Sequence, residues 1–213
     1  ETVASEGRLD CVANFANVLR DGYATNLSET DWDEVIRVNQ RANFTLFRSA
    51  ARHWRREADG DTLSPQRSFL AATSESAFGS VGQLNYSTAK AGVIGFVHTA
   101  STELYDTGVR VNGLIPAGFT RATETVPEEQ RPYTREEMPA EKTGPMVAFL
   151  ASDAATDITG LTLYAGGDRV GIYSTPELAR QGVSPGGWTV ESLADSFDDI
   201  ADGVELTRTD EHL

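Results

Sequence analysis

Short apolar runs alternate along the chain with longer stretches in which apolar residues recur every three or four positions. The runs Leu9 to Ala16, Arg67 to Thr73, Val109 to Pro116 and Leu161 to Ala165 lack polar–apolar alternation, as expected of strands covered on both faces. Alternation of such strands with helices predicts a parallel α/β sheet.

Between the first two runs, Ser28 or Thr30 opens a helix whose first turn is acidic, favourable to the helix dipole, and which is expected to run to about Arg56. Its apolar stripe of Trp32, Val35, Ile36, Leu46, Phe47, Ala50 and Trp54 passes through Asn39 and Asn43, so two amides sit on the buried face. Buried amides need hydrogen-bond partners, structural or functional, and spacing alone favours structural ones. A second long helix is expected from Asn85 to Tyr105 and a third from Pro145 to Ser152. The stretch from Thr125 to Glu141, rich in Pro and Glu, reads as a mobile loop. After Gly166 the chain turns acidic, yet Trp188, Val190, Leu193, Ala194, Phe197 and Ile200 keep helical spacing. A docked amphipathic helix is expected there, with a solvated acidic tail as the alternative.

A length of 213 residues suits one domain with an adequate core, and the single cysteine, Cys11, leaves no disulfide framework. With 18 Lys+Arg against 32 Asp+Glu the net charge is -14, which argues against nucleic acid and anionic membranes as partners. The only lysines are Lys90 and Lys142, and this acidic, Lys-poor composition favours adaptation to high salt over the alternative of a GC-rich genome. With no apolar run of 18 residues and no signal-like N-terminus, a cytoplasmic location is expected. One Cys and three scattered His offer no metal-ligand spacing, and no GxSxG elbow accompanies a serine.

The chemistry concentrates at Tyr86 and Lys90, four residues apart at a helix start and therefore on one face. An ammonium beside a phenol favours phenolate, so Lys90 is expected to lower the Tyr86 pKa toward neutrality and make it a general acid or base. The alternative is an ordinary surface pair. Rarity of Lys and the small neighbours Ser87, Ala89, Ala91 and Gly92 weigh against it. Thr73 and Ser74 place hydroxyls at the carboxyl end of a strand, where open α/β sheets bind ligands.

These residues resemble a known family. Gly82 to Gly92 (GQLNYSTAKAG) contains the YxxxK signature of the short-chain dehydrogenases/reductases in its usual context. Further similarities are Gly7 to Asp10, Asp31 to Asn39 (DWDEVIRVN), Arg110-Val111-Asn112 with Pro116, and Ile158 to Gly160 with Gly166-Gly167. The resemblance spans Gly7 to Gly167. It implies a Rossmann-like doubly wound parallel sheet, here N-terminally incomplete with about four strands retained. Residues 1–170 would form the C-terminal part of such a domain, and 171–213 an acidic extension.

By the same resemblance, Tyr86 exchanges the proton at the substrate oxygen, and Lys90 lowers its pKa and holds the nicotinamide ribose. Asn39 falls where the family keeps an asparagine that holds a relay water, which reverses its structural reading but not that of Asn43. The substrate-orienting hydroxyl is Ser74, narrowly preferred to Thr73. Cofactor contacts are expected from Asn14, Ala16, Tyr86, Lys90, Pro116 and Thr120, with NAD and NADP both open. The family's Asn-Asn-Ala-Gly reads Asn14-Phe15-Ala16-Asn17, so an amide gives way to a ring and a glycine is lost. The glycine-rich turn that holds the pyrophosphate is not among these residues. By the resemblance, about three strands with their helices, on the order of 70 to 90 residues at ~30 per βαβ unit, are missing, through a real truncation or a gene start placed too late. The strand Leu9 to Ala16 would then be an exposed edge. The implied function is an NAD(P)-dependent oxidoreductase acting on a secondary alcohol or ketone, with 3-oxoacyl or 3-hydroxyacyl thioesters as the substrate class. Its expected assembly is a dimer or tetramer through the two long helices. The alternative is a non-catalytic relative unable to bind dinucleotide, acting as an interaction protein.

Overall fold

A computed structural model describes residues 2–58, 66–124 and 127–204. The chain divides into two compact units, 1–173 and 174–213. The first carries one five-stranded sheet in the order β1 (Cys11–Asn14), β2 (Arg67–Ala72), β3 (Val109–Ala117), β4 (Thr162–Gly166) and β5 (Arg169–Tyr173). The first three pairings are parallel and the last is antiparallel. β2 is buried along its whole length, which accounts for its unbroken apolar character.

The short α1 (Thr2–Glu6) precedes β1, and the interval between β1 and β2 holds α2 (Glu29–Ile36) and α3 (Ala42–Glu57), joined through a single π turn over Arg37–Arg41. Ser28 caps α2 by accepting from the Asp31 amide at 3.1 Å. α4 (Leu84–Glu103) follows β2, and α3 and α4 pack together on one sheet face. Phe47 meets Phe69 edge-on at 5.2 Å and Phe96 at 5.3 Å, above Val93, Val97, Val109 and Val111. Trp54, fully buried, donates its indole N–H to the Leu9 carbonyl at 2.7 Å, anchoring α3 to the lead-in of β1. After the one-turn α5 (Arg121–Glu124), α6 (Gly144–Ala151) on the opposite face sets Leu150 against Leu70, Leu114 and Leu163. Helices on both faces make the sheet doubly wound, as expected. Arg110 of β3 donates to the carbonyls of Leu150 and Ser152 at 2.8 and 3.0 Å, closing the C-terminus of α6.

The sequence reading differs from this fold at three places. It ended the sheet after the fourth strand, whereas Gly167, at φ +56°, turns the chain back into β5. β5 is exposed at its first four positions, so no apolar run announces it. The π turn was also unforeseen, because it leaves the apolar stripe unbroken. The stretch read as a mobile loop is, in its described part, tied down. The Phe119 amide donates to the Met138 carbonyl at 2.6 Å, and Arg131 and Arg135 lie over the Phe119 ring. Thr125 and Val126 lie outside the described residues. β1 is an edge of the sheet among the described residues.

In the second unit α7 (Val190–Ile200) opens with a capping box in which Thr189 and Ser192 exchange hydrogen bonds. Arg180 donates to the Asp202 carbonyl at 2.9 Å. No helix among the described residues is long and apolar enough to cross a membrane.

Candidate functional site

The parallel strands end together, so that Asn14 closing β1, Thr73 following β2 and Ala117 closing β3 lie at the carboxyl edge of the sheet. α4 starts at that edge, after the left-handed Gly82. Asn85, fully buried, receives the Tyr86 amide at 2.7 Å and donates to the Arg20 carbonyl at 2.9 Å, which ties the helix start to the loop after β1. One turn of helix sets Tyr86 and Lys90 on the same inward face, both buried, with the Lys90 ammonium 5.4 Å from the phenol ring centroid.

The Tyr86 hydroxyl faces the side chains of Ser74 and Asn17. Lys90 Nζ donates to the Ala72 carbonyl at 3.0 Å. Their electrostatics differ from the sequence expectation. Burial holds the phenol above its ordinary pKa, outweighing the neighbouring polar side chains of Ser74 and Asn17 that pull it down. Burial also lowers the Lys90 ammonium to about 8. The same desolvation penalises both charged forms, so the pair favours a phenol that keeps its proton.

Thr73 and Ser74 separate here. Thr73 Oγ1 donates to the Lys90 carbonyl at 2.8 Å, which leaves its hydroxyl engaged with the α4 backbone. Ser74 caps the short 3-10 turn Glu75–Phe78, accepting from the Ser76 amide at 3.2 Å, and faces Tyr86.

The buried amides form a chain. Asn14 Nδ2 donates to Asn43 Oδ1 at 2.8 Å, and Asn43 Nδ2 donates to the Asn39 carbonyl at 3.0 Å. Asn39 Nδ2 donates to the carbonyls of Val18 and Val35, and its Oδ1 accepts from the Val18 amide. Asn14 Oδ1 accepts from the Ala16 amide at 3.1 Å. The three amides thus fix the loop 14–18. The Asn39 amide group is engaged by the backbone of Val18 and Val35, and its backbone carbonyl by Asn43. Pro116 sits within β3 opposite Ala165. Thr120, exposed, makes local contacts, its amide donating to Thr123 Oγ1.

Sequence reasoning missed Asn17 as a neighbour of the Tyr86 hydroxyl. The signal was present, since Asn17 is where the resemblance loses a glycine.

The family model described as enoyl-(acyl carrier protein) reductase matches residues 1–167. The chain is 34% identical over 184 residues to the hydroxyacyl-CoA dehydrogenase ChsB1 of Mycobacterium tuberculosis, covering 82% of this chain and 57% of that protein. It is 32% identical over 168 residues to the 3-oxoacyl-[acyl-carrier-protein] reductase FabG of Thermotoga maritima, covering 75% of this chain and 65% of that one. The chain therefore spans less than two thirds of the length of these two relatives. A crystal structure of a short chain dehydrogenase from Mycobacterium avium superposes with a TM-score of 0.84 at 28% identity, over 97% of this chain and 68% of that one. With its doubly wound sheet and the Tyr86 and Lys90 pair at the helix start, the chain belongs to the short-chain dehydrogenase/reductase family.

Proposed function

We propose that the chain carries the catalytic machinery of an NAD(P)-dependent oxidoreductase that interconverts a ketone and a secondary alcohol, with 3-oxoacyl and 3-hydroxyacyl thioesters as the substrate class. The observation that carries this reading is the Tyr86 hydroxyl facing Ser74 above a buried Lys90. Lys90 spends one ammonium N–H on the Ala72 carbonyl, so two donors remain for ribose hydroxyls, and its buried position fits the nicotinamide end of a dinucleotide. Asn14 and Ala16 at the end of β1, and Pro116 and Thr120 beyond β3, would flank it. The bound nicotinamide supplies the hydride.

In the reductive direction Ser74 holds the substrate carbonyl oxygen by hydrogen bond. As negative charge develops on that oxygen, the Tyr86 hydroxyl gives up its proton to it, forming the alcohol. A phenol whose pKa burial keeps high is protonated at neutral pH and ready to donate. The ammonium of Lys90 stabilises the phenolate left behind. The rims 15–23 and 78–84 expose Phe15, Tyr23, Phe78, Val81 and Leu84, which suits a substrate with an apolar chain.

Asn17 supports a second reading, a relative that does not turn over dinucleotide, because a side chain stands at the Tyr86 hydroxyl where the resemblance has glycine. Titration with NADH and NADPH, followed by tryptophan quenching and by reduction of a 3-oxoacyl thioester, separates the two. Saturable binding with turnover supports the enzyme. Binding that emerges only in Asn17→Gly supports the second reading.

The assembly fits the same proposal. A groove of about 670 Å³ between α3 and α4 is lined by Phe44, Arg48, Arg52, Gly92, Phe96 and Glu103, and pairing of these helices across a two-fold axis would cover it.

A further inference from the structure

β5 contributes little to the core. Val170 and Ile172 are 73% and 66% exposed, and the strand adds one antiparallel edge to a sheet already covered on both faces. Its last residue, Tyr173, is the exception. The Tyr173 hydroxyl donates to Glu75 Oε1 at 2.7 Å across 98 residues of sequence, and its ring stacks on Phe78 with centroids 4.9 Å apart and planes 20° from parallel. Glu75 and Phe78 are the first and last residues of the 3-10 turn that Ser74 caps. On its other side the turn is held by Ser76 Oγ, which donates to Gln83 Oε1 at 2.9 Å, and Gln83 in turn donates to Asp21 at 3.0 Å. The turn that presents Ser74 to Tyr86 is therefore braced from both flanks, and one brace comes from a strand with no other evident duty.

We propose that Tyr173 is a positioning residue, whose hydrogen bond to Glu75 and stack on Phe78 fix the 3-10 turn so that the Ser74 hydroxyl is held against the Tyr86 hydroxyl for substrate binding. This rests on the reading of Ser74 as the hydroxyl that orients the carbonyl. The interaction is charge-assisted, since the acceptor is a carboxylate, and the parallel ring stack adds orientation that a lone hydrogen bond lacks. The desolvation and the facing carboxylate also hold the Tyr173 phenol at about 12, so it stays a donor throughout the neutral range.

The test uses the full chain labelled with 3-fluorotyrosine, whose six tyrosines are assigned by single Tyr→Phe changes. Tyr173→Ala removes both contacts, Tyr173→Phe removes only the hydroxyl, and Glu75→Gln keeps an acceptor oxygen for it. The expected result is a displaced or broadened Tyr86 fluorine resonance in Tyr173→Ala, a smaller displacement in Tyr173→Phe, and a near wild-type resonance in Glu75→Gln. With a 3-oxoacyl thioester, KM rises about tenfold in Tyr173→Ala, the scale of one hydrogen bond to a charged group, while kcat stays within about threefold. A Tyr86 resonance unmoved in a folded Tyr173→Ala overturns the proposal. Should that variant fail to fold, Tyr173→Phe decides by the same criterion. Wild-type protein without reductase activity would remove the functional reading, while the resonance still decides whether Tyr173 positions the turn.

Discussion

At the scale of single residues, the two hydroxyls after β2 make opposite predictions. Thr73 Oγ1 serves the α4 backbone, so Thr73→Val is expected to lower stability by about 1 kcal/mol and leave turnover of the folded enzyme within a few-fold. Ser74 faces Tyr86 and caps a short turn, so Ser74→Ala is expected to lose activity outright while giving up only about 1 kcal/mol of stability with the cap. Tyr86→Phe is expected to lower turnover at least ~100-fold, the scale of a general acid, and steady-state kinetics on all three variants check the set. Lys90 couples chemistry to stability. Its ammonium falls to about 8 in the folded chain from the ordinary 10.5, so the unfolded chain binds more protons between those values. Stability therefore rises with pH across that window, and below about 8 the buried charge costs about 3 kcal/mol. Lys90→Met is expected to be at least as stable as wild type at pH 7, to lack that rise, and to be inactive. Denaturant unfolding between pH 7 and 10.5 tests this. In the wild type, the reductive rate is expected to fall as pH passes about 8 and the ammonium is lost.

At the scale of elements, the strands and the long helices were legible because their burial is periodic or continuous. β2 and β3 are buried runs, and α4 carries Ala89, Val93, Val97 and Ala100 inward. Two elements were illegible for physical reasons. A π turn inserts its extra residue without disturbing which side chains face inward, so Asn39 and Asn43 stay on the stripe and only the backbone reports the change. β5 is set by a glycine turn and by backbone pairing to β4, neither of which needs apolar side chains. The site followed the same division. Tyr86 and Lys90 were readable from i,i+4 geometry, whereas the choice between Thr73 and Ser74 depended on which hydroxyl the α4 carbonyl claimed. The amide chain makes a prediction at this scale. Asn43→Leu would leave Asn14 Nδ2 without its acceptor in a buried place, and a loss of about 1–3 kcal/mol is expected together with a loosened loop 14–18. Thermal unfolding measures the first and amide hydrogen exchange at Ala16 and Val18 the second.

At the scale of the whole molecule, charge and assembly oppose each other. A net charge of -14 gives each copy a field that repels another, yet the groove between α3 and α4 is bordered by Arg48, Arg52 and Arg55 beside Glu103, a locally basic strip on an acidic protein. Association through this face brings those arginines together and adds two net negative charges of the same sign, and both penalties are long-ranged in dilute buffer. At 0.1 M salt the screening length is about 10 Å, comparable to a helix diameter, whereas at 1 M it is about 3 Å and little beyond direct contact survives. Dimerisation is therefore expected to tighten, and thermal stability to rise, as KCl goes from 0.1 to 2 M. Phe44→Glu, which sets a carboxylate in the groove at an exposed ring outside the core cluster, is expected to keep the chain monomeric at every salt concentration while the core around Val93 and Val97 still folds. Sedimentation equilibrium with parallel thermal unfolding reads both. A dimer that weakens with salt would place the interface on charge pairs instead, and a dimer that survives Phe44→Glu would move it off α3 and α4 altogether.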